Sequence, residues 1–281
     1  VGSYFCSVIQ KLRHVYRLGD KTLPSYLYAL QAWSVLEARD LYPDLPFEFW
    51  GDKSMIDMVV KTKLSCLYTS IHLLPDKDHI DTGLFWAMDK MRLCGPNILM
   101  IDTDAVLHTQ IDDTRLVVAH LEDNPYMPIE HYTPNNYKWP EWYNHNSTQM
   151  FNTSLLYFPH GNIFKEWLSS ALAYASSVTF DIDNAYHFVP IKYDWELICL
   201  IEQKFLYDLV SSTDSLVQYA KHISMPEGQK PYSHLGFKKT LLAQEGKDAE
   251  DKYCQEKILA NVFNLRHQYF GRVMDIEKRA R

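Results

Sequence analysis

The sequence has no long apolar run: nowhere do it reach the roughly 18 consecutive apolar residues that a membrane-spanning helix needs. Its first residues carry no recognisable secretory leader. Cysteine is sparse. Cys6, Cys66, Cys94, Cys199 and Cys254 are odd in number and widely scattered. That spacing fits neither a zinc knuckle nor a disulfide framework and points to a reducing, cytoplasmic setting. A Walker-type glycine run is missing, and so is any internal repeat. Surplus positive charge is absent too. A net charge of −7 excludes a general nucleic-acid surface and leaves room only for a local basic pocket.

What is present suits a folded catalytic domain. With 47% hydrophobic and 22% charged residues, a chain of 281 can bury a sizeable core. The stretch of greatest interest is Asn97-Ile98-Leu99-Met100-Ile101-Asp102-Thr103-Asp104. Four apolar residues following Cys94-Gly95-Pro96 read as a buried strand of an α/β sheet. Two carboxylates at its end repel each other and lose hydration, a cost that a hard divalent cation offsets. The carboxyl ends of strands in open α/β sheets are also where ligands sit.

Along the chain, Ser3 to Ile9 is a candidate first strand, and Leu23 to Leu41 a helix with Leu27, Leu30, Trp33 and Leu36 or Glu37 on one face. A short strand at Pro46 to Trp50 leads into a helix capped by Asp52. Cys66 to Leu74 reads as a strand, and Asp81 or Thr82 as the cap of a helix carrying Leu84, Phe85, Met88 and Met91. After the acids, Ala105 to Leu107 continues apolar, and strands follow at Arg115 to Ala119 and Met150 to Phe158. Between the last two, Pro125 to Ser147 is irregular and rich in aromatic rings, suiting either local packing or a lid over a sugar. Helices are expected from Phe164 to Ala175, Glu196 to Val210 and Ala249 to Phe263. A turn-like basic loop, Tyr232 to Lys239, separates the last two, and Arg266 to Arg281 reads as an exposed basic tail. The expected class is α/β: an αβα sandwich, mostly parallel, with helices on both faces and a helical C-terminal part.

Asp102 and Asp104 can hold Mn²⁺ or Mg²⁺ through oxygen ligands and leave positions for phosphate oxygens. His234 can add an imidazole, Gly236 a close backbone approach, and Lys238 or Lys239 a charge for a diphosphate. The bland alternative makes Asp104 a turn residue and His234 and the lysines solvated groups.

MIDTDAVL (residues 100–107), FNTSLLYF (151–158), IEQKF (201–205) and HLGFKK (234–239) together resemble the GT-A-fold nucleotide-sugar glycosyltransferases. Within them the chain is most similar to the glycogenin and lipopolysaccharide galactosyltransferase-like family. The resemblance implies Mn²⁺ on Asp102 and Asp104, with His234 as a further ligand. It implies donor binding by Asp102, Asn152, Gly236, Lys238 and Lys239, and catalysis at the sugar by Glu202 and Gln203. The sequence departs from the family pattern in several places: the Pro-Trp that usually follows the lysine is absent, and the expected opening strand is matched only loosely by Tyr4 to Ile9. His234 and Gly236 are one residue too close, Ser154 stands where glycine is expected, and Glu202 replaces an aspartate.

The expected reaction moves a sugar from a nucleotide-diphosphate sugar, with a UDP-sugar the expected donor, to a hydroxyl of a carbohydrate or glycosylated acceptor. One catalytic domain spans 1–281: residues 1–124 form the nucleotide-binding half, 125–240 the acceptor side and 241–281 a helical segment. Two other readings stay open, a metal-dependent phosphoryl or nucleotidyl transferase and a non-catalytic carbohydrate-binding protein.

Overall fold

The computed structural model describes residues 9–19, 22–75, 83–123, 137–184, 197–213, 215, 217–220, 232–234 and 238–281. The chain folds as two compact units. The first comprises Ile9–Asp76, Leu99–Ile111 and Ala220–Arg281; the second comprises Val1–Val8, Lys77–Ile98 and Asp112–Tyr219.

In the first unit, β1 (Lys11–Tyr16), β2 (Phe47–Gly51), β3 (Ser70–Leu73) and β4 (Ile98–Ile101) line up in the order β3-β2-β1-β4. β1 pairs in parallel with β2, and β2 with β3. The first described strand is therefore KLRHVY, whereas the expected Ser3 to Ile9 lies almost wholly outside the described residues. Lys, Arg and His disguise β1 in the sequence, yet Arg13 and His14 are buried. Arg13 is neutralised by Glu48 on the neighbouring strand. His14 is held between Tyr68, 2.8 Å from Nδ1, and Ser34, 3.2 Å from Nε2. Burial drives the His14 pKa down to about 3, the charge of Asp104 opposing it, so the ring is neutral at pH 7.

Helix α1 (Ser25–Leu41) follows β1 at the expected place. It is buried far beyond one face: Tyr26, Tyr28, Gln31, Ser34 and Glu37 are all enclosed. The reason is the C-terminus. The expected basic tail is a C-terminal amphipathic helix, His267–Ala280, packed on α1 through Tyr269, Val273 and Ile276. Arg266 donates to Glu37 at 2.8 Å, Ser25 donates to Glu277 at 2.8 Å, and Tyr269 donates to Asp40. Spacing of apolar residues at 269, 273 and 276 outweighs the charge of the segment.

Asp52 caps α2 (Lys53–Lys61) as expected, accepting from the Met55 amide at 2.9 Å. The expected strand at Cys66 to Leu74 is shorter. Its first part is a 3₁₀ turn over Leu64–Leu67, and β3 begins at Ser70.

In the second unit, α3 (Gly83–Leu93) begins just after its expected caps, which fall outside the described residues. β6 (Leu116–Asp123) lies between β7 (Gln149–Tyr157), antiparallel, and β8 (Val217–Tyr219), parallel. Helix α4 runs from Gly161 to Asn184, longer than expected at both ends. The next helix contains a π turn, Cys199–Lys204, and continues as α5 (Phe205–Ser211). Pairing within the units is mixed and mostly parallel, and helices pack on the strands, an α/β architecture consistent with a GT-A-like fold. Among the described residues, no helix is long and apolar enough to cross a membrane.

Candidate functional site

Strand β4 buries Leu99, Met100 and Ile101 almost completely and ends where expected, at Asp102. A tight turn follows, closed by the Ala105 amide donating to the Asp102 carbonyl at 3.0 Å. The chain then enters β5 (Ala105–Leu107). Asp104 is buried, Asp102 half-buried. A small pocket in the first unit is lined by Asp104, Thr103, Tyr16, Gln31, Met55, Leu23 and Leu27. Among the described lining residues there is no lysine or arginine.

Strand β9 (Tyr232–His234) pairs antiparallel with β5, and His234 stands in register with Ala105. Thus a histidine 130 positions along the chain has its backbone beside the residue that follows Asp104 (234 against 104). The expected basic loop is here a strand and then a helix, α6 (Lys238–Glu245), whose first two residues are Lys238 and Lys239. Edge pairing with β5 is what orders Tyr232 to His234. Gly236 lies outside the described residues. The donor chemistry suits a hard or borderline divalent cation: two carboxylates at one turn, with an imidazole-bearing residue on the adjacent strand. Among the described residues, no group of three or more His, Cys, Asp or Glu side chains is arranged to hold a metal ion.

The second unit brings together another set. Asn152 and Ser154 lie on β7, both buried. Asn152 donates to Glu122 on β6 at 2.8 Å, and its Oδ1 accepts from the Ser154 amide at 3.1 Å and from the Ser154 hydroxyl. Serine at the expected glycine position thus fixes the rotamer of Asn152. Between them, the Thr153 hydroxyl donates to Glu202 at 2.6 Å. Lys90 on α3 pairs with the same Glu202 oxygen at 2.7 Å and donates to the Thr153 carbonyl at 3.0 Å. Glu202 is only 2% exposed, so it is neither a solvated surface group nor open to bulk water. Its neighbour Gln203 is 7% exposed, and its Oε1 has no hydrogen-bond partner among the described residues.

Sequence reasoning missed Lys90. Its signal was faint: a lysine three residues after Ala87 and next to Met91, inside an apolar stripe. Lys204 was missed as well. It is fully buried, pairing with Asp208 at 2.6 Å and donating to the Asn144 carbonyl at 3.0 Å. Burial outweighs the pair's attraction, lowering the lysine pKa and raising that of the aspartate. The described part of the aromatic stretch is packed rather than poised as a lid. Trp139 stacks on Tyr143 with centroids 4.2 Å apart, and Phe205 meets Trp142 and Tyr143 edge-on. Residues 124–136 of that stretch lie outside the description.

No protein-family model matches the chain, and no curated protein matches it. Among solved structures it is similar to PaToxG glycosyltransferase, at 10% identity over 94% of this chain and 87% of that one, with a TM-score of 0.40. It is also similar to the galactosyltransferase LgtC in complex with donor and acceptor sugar analogs. The identity is 13% over 80% of this chain and 86% of that one, with a TM-score of 0.36. A third likeness is to the glycosyltransferase GlyE of Streptococcus pneumoniae TIGR4, at 10% identity over 94% and 64% of the two chains and a TM-score of 0.39. At scores this low, the functional reading rests on the residues themselves.

Proposed function

We propose that the chain transfers a sugar from a nucleotide-diphosphate sugar, a UDP-sugar by resemblance, to a hydroxyl of a carbohydrate or glycosylated acceptor. One observation carries the reading. Two carboxylates close the turn after a buried strand, and the next residue pairs with the strand that bears His234. In this reading Asp102, Asp104 and His234 hold a divalent cation, Mn²⁺ or Mg²⁺, that when bound neutralises charge on a leaving diphosphate. Lys238 and Lys239, opening α6, serve the outer phosphate oxygens, with Gly236 allowing close approach.

Asn152, Glu202 and Gln203 keep the sugar-side role that the resemblance gives them. Glu202, already bonded to Lys90 and Thr153, acts as a fixed negative charge rather than as a mobile base. Gln203 has an amide oxygen left over for a sugar hydroxyl. Such a site asks little proton transfer of its side chains, which favours transfer with retained configuration. Residues 1–124 are assigned to the nucleotide, 125–240 to the acceptor side and 241–281 to helical support. Among the described residues Cys66, Cys94, Cys199 and Cys254 form no disulfide, which suits a reducing compartment such as the cytoplasm.

Calorimetry with a panel of nucleotide sugars, with and without Mn²⁺, tests the proposal. The expected result is saturable binding of at least one nucleotide sugar that requires the cation. Binding of free nucleoside triphosphates alone would favour a nucleotidyl transferase, and binding of glycans without any nucleotide a carbohydrate-binding protein.

A further inference from the structure

The helix around Gln203 departs from regular geometry. Over Cys199–Lys204 it widens into a π turn, and the Phe205 amide donates to the Leu200 carbonyl, five residues back. A π turn inside an α-helix is disfavoured unless its surroundings hold it, and such turns recur at functional sites. Here three separate elements hold it. Lys90 on α3 and Thr153 on β7 both bind Glu202. Trp167 on α4 donates its indole N–H to the Ile201 carbonyl at 3.0 Å. Lys204 is fixed by Asp208 and by the Asn144 carbonyl.

The residues on either side of Gln203 are therefore both immobilised by buried charges, whereas Gln203 itself is buried with an unpartnered amide oxygen. A buried amide oxygen left without a donor is costly, and here both neighbours are fixed while it stays enclosed and unsatisfied, which favours any hydroxyl that donates to it. We propose that Lys90 and Thr153 are positioning residues: acting through Glu202, they hold the π turn in the register that presents the Gln203 oxygen to a carbohydrate hydroxyl. The ligand side of this inference rests on the sugar-transfer reading above. The positioning side does not.

The test combines two readouts on the full chain. The first is the side-chain amide signal of Gln203 in a ¹⁵N–¹H spectrum, assigned by its loss in Gln203→Ala. The second is Mn²⁺-dependent hydrolysis of the nucleotide sugar that binds in calorimetry, or of UDP-glucose if none does. Thr153→Val removes one hydrogen bond to Glu202 and leaves the Lys90 pair in place, so it is the variant most certain to fold. It is expected to shift the Gln203 signal and lower kcat about tenfold, with KM for the donor within about twofold. Lys90→Arg, which keeps the charge, is expected to stay closer to wild type than Lys90→Met. In a Gln203→Ala background Thr153→Val is expected to cost nothing further, because both changes remove the same interaction.

An unmoved Gln203 signal in both Thr153→Val and Lys90→Met overturns the positioning role. Rate losses that multiply in the double variant do so too. If the signal moves but the wild-type chain neither binds nor hydrolyses a nucleotide sugar, positioning stands and the sugar-transfer reading falls.

Discussion

The acid turn of the first unit and the π turn of the second both bury charge, but they treat it differently. At the π turn, Glu202 has Lys90 and Lys204 has Asp208, each pair within 2.7 Å and almost wholly buried. At the acid turn, Asp102 and Asp104 stand two residues apart at the end of β4, and Asp104 lines a small pocket. Elsewhere in the first unit buried acids follow the pattern of the π turn: Glu37 has Arg266, Glu48 has Arg13 and Lys11, and Glu277 has Arg281. The contrast is one of place: the paired charges join elements of the fold, Glu202 in addition to its proposed sugar-side role, whereas Asp102 and Asp104 sit on the turn after a strand, where the proposed cation would bind. If it holds, substitutions at the paired charges cost stability first, and substitutions at the acid turn cost activity with the fold intact.

The largest stability effect is expected at Lys90. Lys90→Met leaves the buried Glu202 carboxylate its Thr153 hydrogen bond but removes its cation, and the urea unfolding midpoint should fall by an amount equivalent to about 3–5 kcal/mol. A loss under about 1 kcal/mol would show that Glu202 is not a structural charge and would erase the distinction drawn above.

Glu48 sharpens the comparison through pH. Burial opposes its ionisation, but hydrogen bonds from Lys11, Arg13 and Trp50 outweigh it and hold the carboxyl at about 2. A depressed folded value means that the pair's contribution is full above the unfolded pKa, about 4.3, and fades as pH falls towards 2. Glu48→Gln should therefore be less stable than wild type at pH 7, by about 1–3 kcal/mol, with the gap closing between pH 4 and 2. A gap that does not change with pH would assign the effect to packing.

Arg266→Ala removes a cation that is more than a third exposed from a buried glutamate, so a smaller loss of about 1–2 kcal/mol is expected from thermal or urea unfolding. Smallest of all is Asp52→Ala. Asp52 is also a buried acid at a strand end, but it caps α2 and accepts from the Gly19 amide at 2.7 Å. Loss of the cap should cost about 1 kcal/mol and leave nucleotide-sugar binding unchanged. A binding defect there would blur the line between the two kinds of acid.

Much of the first unit was legible because its signals are local. Apolar run, acids and turn lie within eight residues at Asn97 to Asp104, and Asp52 announces the helix it caps. Strand β1 was not legible, since its Lys, Arg and His are made acceptable only by partners from β2, α1 and Tyr68. The C-terminal helix read as a tail because its charges are obvious, whereas the α1 acids that accept from Arg266 and Tyr269 are more than 200 residues away. In the second unit the apolar spacing of Leu197, Leu200, Ile201 and Leu206 did predict buried positions. That spacing did not predict the burial of Glu202, Gln203 and Lys204. They lie on the π turn, and its determinants, Lys90, Thr153 and Trp167, come from three other elements.

The most direct test of the central contrast is Asp104→Asn, assayed for Mn²⁺-dependent hydrolysis of the bound nucleotide sugar beside a thermal melt. Removing the charge at nearly constant size should cut hydrolysis by about 100-fold or more while the melting temperature stays within about 2 °C of wild type. Hydrolysis that survives at wild-type rate, or a melting temperature that falls as it should for Lys90→Met, would place Asp104 among the carboxylates that serve the fold.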